Sequence, residues 1–231
     1  MSVNVNTVYQ RVLAITNKEQ RGYITPQEFN YMANQAQLDI FEQYFYDLNQ
    51  FARIPGNSTE YSDMLDILEE KISLFEKIGE AVTGGITLPS DVYRLGSILY
   101  NGIDAEHITQ KDWLYIKKSP LSQPSNDFPI YLRDSETNAI KVYADSITAN
   151  ETANITCNYI KTPAEVKWGY DTTTGLYDSD SAKTTHFELH SSEETELVIK
   201  ILALAGVVLK DPQLYQVGSA EDAKNVQQEK A

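Results

Sequence analysis

The stretch from Thr25 to Phe51, TPQEFNYMANQAQLDIFEQYFYDLNQF, constrains this chain more than any other. Thr25 can cap a helix, Pro26 suits its first position, and Glu28 stands three residues after the cap, as a capping box requires. Phe29, Met32, Ala33, Ala36, Ile40, Tyr44, Leu48 and Phe51 recur at steps of three and four, which draws one apolar stripe along a long helix. Phe41 and Phe45 widen that stripe. At 1.5 Å per residue the helix is roughly 39 Å long. Its polar side is rich in amides (Asn30, Asn34, Gln37, Gln43) rather than in charge. Such a face suits solvent or a contact with another protein, and the sequence leaves both open.

The rest of the chain arranges itself around this helix. Val8 to Thr16 reads as a short helix with Val8, Val12 and Ile15 on one side. Beyond Ile54-Pro55-Gly56, a third helix is expected from about Glu60 to Val82, aligning Tyr61, Leu65, Leu68, Ile72, Phe75 and Gly79. Its outer side carries Asp63, Asp66, Glu69, Glu70, Glu76 and Glu80. After Thr83-Gly84-Gly85 the apolar period changes to two. Ile86 to Pro89 and Val92 to Tyr100 read as strands, Asn101-Gly102 as a two-residue hairpin turn, and Ile103 to Ile108 as the returning partner. Thr109 to Lys118 suits a short helix capped by Thr109, with Asp112 three residues on. Pro129 to Arg133, Ala139 to Tyr143 and Asn154 to Ile160 are further strands, with Val166 to Tyr170 as one more.

Asp171 to Thr185 is a polar loop, and Ser191 to Glu194 is a second capping box before the apolar helix Thr195 to Leu209. Asp211-Pro212 opens a last helix, Gln213 to Lys230, apolar chiefly at its start. A stripe that thin buries little, so this helix is expected to dock on a neighbour or fray. That nominates Leu214, Tyr215, Val217 and Val226 as subunit or partner contacts. The fold class expected is α+β. A long-helix bundle from both chain ends, residues 1–83 and 186–231, carries a small, mostly antiparallel β insertion with its polar loop, residues 84–185.

Charge and chemistry narrow the function. The chain has 19 Lys and Arg against 33 Asp and Glu, a net −14, and its longest basic cluster is Lys117-Lys118. Tight binding to nucleic-acid phosphate needs clustered cations, so direct nucleic-acid binding is not expected. Cys157 is the one cysteine, which excludes an internal disulfide, and its place in an alternating strand suits a buried small hydrophobe. The opening MSVNVNTVYQ is polar and shows no secretion leader, so a soluble protein assembled in a reducing cytoplasm is expected. The most apolar run, Leu197 to Leu209, contains Lys200 and is too short for a membrane anchor.

His186 and His190 are four apart, but in His-Phe-Glu-Leu-His the Glu is not where a zinc-protease motif needs it, and no third ligand is evident. Asp171 to Asp180 misses the acidic spacing of a calcium loop. With no P-loop, dinucleotide turn or nucleophile elbow, the sequence nominates no catalytic, cofactor or metal residue, and the expectation is a protein that is not an enzyme. The fifteen tyrosines suit interfaces, and cores use them as well.

Four stretches carry a resemblance. They are Asn17-Lys18-Glu19-Gln20-Arg21-Gly22-Tyr23-Ile24-Thr25-Pro26 with its continuation to Asn49, Leu88-Pro89-Ser90-Asp91-Val92-Tyr93-Arg94-Leu95-Gly96-Ser97, Ser119-Pro120-Leu121-Ser122-Gln123-Pro124, and Ile201 to Leu214. In these the chain resembles head-to-tail connector (adaptor or ring) proteins of short-tailed, crAss-like bacteriophages. The β insertion departs from the small all-helical adaptors and favours the larger short-tailed type.

The resemblance implies a structural virion protein at the portal–tail junction, assembled in the bacterial host cytoplasm. It would be one protomer of a ring, about twelve-fold, below the portal, extending the genome-ejection channel. Its partners would be itself, the portal protein and neighbouring tail or ring proteins, with DNA passing unbound. Asp66, Glu69, Glu70 and Glu76 are then candidates for the channel wall, where cations would hold phosphates and slow ejection. The outer virion surface, or simple solubility, accounts for them equally. The alternative is a monomeric carbohydrate- or calcium-binding surface module of a phage tail, resting on the Asp171–Asp180 loop and the tyrosines.

Overall fold

The long helix forms where its capping box places it. In the computed structural model, which describes residues 2–16, 24–52, 59–134, 138–145, 149–171, 173–180, 182–208 and 212–229, α2 runs Pro26–Ala52. The box closes both ways: the Thr25 amide donates to Glu28 Oε2 at 2.9 Å, and the Glu28 amide donates to Thr25 Oγ1 at 3.3 Å. Phe29, Met32, Ala33, Ala36, Ile40, Phe41 and Tyr44 are all buried. Phe51, the last residue of the expected stripe, has a side chain outside the described residues.

The fold is mixed α+β, with six helices and two sheets among the described residues. It divides into two compact units, residues 1–74 with 163–231 and residues 75–162. The sequence placed the insertion at 84–185; the β unit both starts and ends earlier.

In the helical unit, α1 (Val5–Thr16) buries Val5, Val8, Tyr9 and Val12, while Ile15 is exposed, contrary to the stripe expected for it. Tyr9 sets its ring edge-on to Phe29 at 4.7 Å and tilts against Trp168 at 4.4 Å. Helix α3 (Thr59–Ser73) buries Leu68 and Ile72. Helix α5 (Glu194–Val208) lies against α1, α2 and α6 (Pro212–Glu229).

The amide face of α2 has a purpose that periodicity did not reveal. Asn34 donates to the Val166 carbonyl at 3.0 Å and accepts from the Val166 amide at 2.7 Å. Asn30 accepts from the Trp168 amide at 2.8 Å. Gln37, fully buried, donates to the Ala164 carbonyl at 2.9 Å and accepts from the Glu188 amide at 3.1 Å. Val166 to Tyr170, expected as a strand, makes only the isolated bridges Lys167 to Thr185 and Tyr170 to Tyr177 and joins no sheet; the amides of α2 pair instead with the backbone at 164, 166 and 168. Buried backbone must be paired, and a line of amides at steps of four and three on a helix meets the extended chain's requirement.

In the β unit, β1 (Glu76–Ala81), β2 (Val92–Tyr100), β3 (Ile103–Asp104) and β7 (Ile155–Lys161) form one sheet in the order β1-β7-β2-β3. The second sheet has the order β4 (Glu106–His107), β5 (Ile130–Asp134), β6 (Ala139–Tyr143). All pairings are antiparallel except β4 with β5. Asn101 and Gly102 both take positive φ, 50° and 82°, which is the turn that joins β2 to β3. Ile103 to Ile108 does not return as one strand; it breaks at Ala105 and passes from the first sheet to the second. Ile86 to Pro89 makes only isolated bridges, Thr87 to Thr83 and Thr87 to Ala139, rather than a strand.

Strict alternation sorts the second sheet's side chains. Tyr131, Ile140 and Val142 face a core shared with Ile98, Ile155, Cys157 and Tyr159 of the first sheet. Ile130, Leu132 and Tyr143 face the other way, onto Ile108, Trp113 and Ile116. The three-stranded sheet is therefore the middle layer, between the larger sheet and the short helix α4 (Gln110–Ile116).

The third helix is the main correction. It ends at Ser73, and residues 76–81, expected as its continuation, are the edge strand β1. Gly79 sits at φ +71°, and the pairing of β1 with β7 shifts register between Lys77 and Glu80, so the chain bulges there. Glu76 consequently leaves the helix that carries Asp66, Glu69 and Glu70.

Candidate assembly surfaces

Helix α4 is short and held firmly. Thr109 Oγ1 accepts from the Asp112 amide at 3.3 Å and donates to the Asp112 carboxylate at 2.6 Å, the expected cap. Trp113 stacks on Tyr143 with centroids 4.2 Å apart. With its inner side fixed, α4 and the loop after it present Leu114, Tyr115, Leu121 and Phe128 to solvent, Leu121 at 99% and Phe128 at 77%. Lys111, Lys117 and Lys118 are exposed beside them. Sequence reasoning missed this surface, because apolar residues near a helix read first as core.

On α3, Asp66, Glu69 and Glu70 are exposed as expected, and so are Ile67 among them and Leu74 just past the helix end. The one lysine of α3, Lys71, turns away. Its ammonium lies 2.7 Å from the buried Glu193 carboxylate and 5.4 Å from the centroid of the Tyr44 ring. Burial alone would raise the Glu193 carboxyl, but Lys71 beside it holds it below its ordinary value. Glu76, on exposed β1, shares no helix face with the other three candidates.

Helix α6 was expected to stand off its own chain, and it does not. A Cβ on Gly206 would meet the Tyr215 backbone amide nitrogen at 2.6 Å, and one on Gly218 would meet the Ala203 Cα at 2.9 Å. The two helices approach too closely for larger residues, so small side chains replace the missing stripe. Lys200 joins them, 3.0 Å from Asp222 and 3.6 Å from Glu196. Burial opposes the charge on Lys200, yet Asp222 and Glu196 hold its ammonium above the ordinary value. Tyr215 meets Gly206 on the α5 side of α6 with its ring half-exposed, and Val217 is exposed; the side chains of Leu214 and Val226 lie outside the described residues. The glycines were the signal for this pairing.

The histidines serve the chain's own backbone. His186 Nδ1 accepts from the Val5 amide at 3.4 Å, and His190 Nδ1 accepts from the Ser192 amide at 3.3 Å at the head of α5. Among the described residues no three His, Cys, Asp or Glu side chains are grouped to hold a metal ion. In the acidic loop, Asp171 accepts from the Thr173 amide at 2.7 Å, and Asp178 holds Lys183 at 2.7 Å. A calcium ion on Asp178 would have to displace that ammonium. Cys157 is buried; burial, then Glu80 and Asp91, pushes its thiol up and keeps it protonated. Tyr159, donating to Asp91 at 3.0 Å, is pushed up to about 12, by burial first.

No described helix is long and apolar enough to cross a membrane. No family model and no curated protein matches the chain.

Proposed function

We propose that this protein is a structural, non-catalytic subunit of a phage head-to-tail connector. Copies close into a ring below the portal and lengthen the channel through which the genome leaves. The helices from both chain ends form the bundle of each protomer, and the β unit is its insertion. One observation carries the reading: a well-packed chain leaves many large apolar side chains at its surface, in both units. Leu121, Phe128 and Ile78 at 79% in the β unit, and Tyr31 and Leu176 in the helical unit, are the most exposed of them. Isolated exposed hydrophobes are ordinary, but a surface this rich in Leu, Phe and Tyr suits one that assembly covers. The acidity of the chain accords with a channel that must not hold DNA phosphates.

Electron microscopy of the purified protein, alone and mixed with portal protein, tests the proposal. Rings of about twelve copies, stacked on the portal, are expected. Separate monomers in both samples would refute it.

A further inference from the structure

We infer that the ring closes when the α4 face of one copy docks on the α3 face of the next. This rests on the connector reading and deepens it by naming the two surfaces. A ring of identical subunits needs two different faces that complement each other, repeated around an axis. The chain carries such a pair.

The α4 face is apolar and basic. Residues 110–128 hold three lysines against two aspartates, in a chain where acids outnumber bases 33 to 19. Lys111, Lys117 and Lys118 neighbour Leu114, Tyr115 and Leu121 along the chain, and against the two exposed aspartates, Asp112 and Asp127, they leave the segment one charge positive. The α3 face is apolar and acidic. Asp66 and Glu70 stand four residues apart on one flank of the helix, with Ile67 between them and Leu74 just past its end. Lys71 is turned onto Glu193 and does not neutralise that flank.

Each face thus has exposed apolar side chains, and the net charges are opposite: three lysines against two aspartates on the α4 face, acids alone on the α3 flank. Apolar centres supply the affinity of such a contact, while the charges fix register and exclude like faces from pairing. Two α3 faces repel, as do two α4 faces, so a two-fold dimer is disfavoured and the head-to-tail contact remains. Both faces stand on held elements, α4 through Trp113 on Tyr143 and α3 through Leu68 and Ile72, so little order is lost on docking.

A charge swap read by native mass spectrometry of the full chain tests the pairing. Lys117→Glu with Lys118→Glu, or Asp66→Lys with Glu70→Lys, should each raise the concentration needed for rings at least tenfold, and combining all four should restore it. All four positions are exposed, so folding, checked by melting temperature, should be unchanged. Leu121→Ser, at a side chain that touches almost nothing in its own chain, should weaken the ring without a change in charge. A ring indifferent to both charge reversals or to Leu121→Ser overturns the pairing, as does a four-fold variant no better than either pair alone. A wild-type chain that forms no ring, even with portal protein, overturns the connector reading and the pairing together.

Discussion

The two units are held together by different means. In the β unit, backbone pairs with backbone along two sheets, and alternation decides which side chains meet between them. In the helical unit, residues more than a hundred positions apart are joined by side-chain amides of α2 that grip the extended backbone of 164–168. The first kind of cohesion is a repeated local rule. The second depends on a few individual residues, so single substitutions should separate the two.

The largest effects come from the apolar centres, where the units should behave alike. Phe41→Ala in α2 and Ile140→Ala in β6, both fully buried, should each cost about 2–5 kcal/mol by denaturant titration. A near-neutral result for either would mean that its face is not core. The polar contacts should then separate the units. Asn34→Ala strips the partners of both polar groups of buried Val166 and should cost about 1–3 kcal/mol, with faster exchange of the Val166 amide. Asn158→Ala, in the β unit, releases the amide of exposed Gly79 and the half-buried Ser97 hydroxyl, both close enough to water to find new partners, and should cost under about 1 kcal/mol by the same titration. Equal costs would dissolve the comparison.

Most of what was legible in the sequence is local. The capping boxes at Thr25 and Thr109, the Asn101-Gly102 turn and the alternation of β5 to β7 follow from neighbours within a few residues. The extent of α3 was not legible. Edge strand β1 is exposed along nearly its whole length, so Glu76, Lys77, Ile78 and Glu80 show no apolar alternation, and Ile72, Phe75 and Gly79 happen to keep helical spacing. The amides of α2 looked like solvent-facing or intermolecular residues because their partner lies far along the chain. The α4 surface was hidden for a related reason: sequence marks Leu114 and Leu121 as apolar, and only the structure places them outside.

Two smaller effects sharpen the helical side of the comparison. Gly218→Val should force α6 from α5 at a cost of about 1–3 kcal/mol, visible as lost protection of α6 amides, because the added methyl groups meet the Ala203 backbone. Acid should loosen the same unit modestly. The Glu193 carboxyl is held below its ordinary 4.5, so its contribution is present above that pH and is lost as pH falls through the lowered value. Melting temperature should therefore decline below pH 4.5, and more shallowly in Glu193→Gln.

The central claim is that this chain functions as a ring subunit. Native mass spectrometry of the purified protein, across a range of concentrations and with portal protein present, tests it most directly. The account predicts a discrete species at about twelve times the 26.1 kDa of one chain. A single peak at 26.1 kDa under all of these conditions would contradict it.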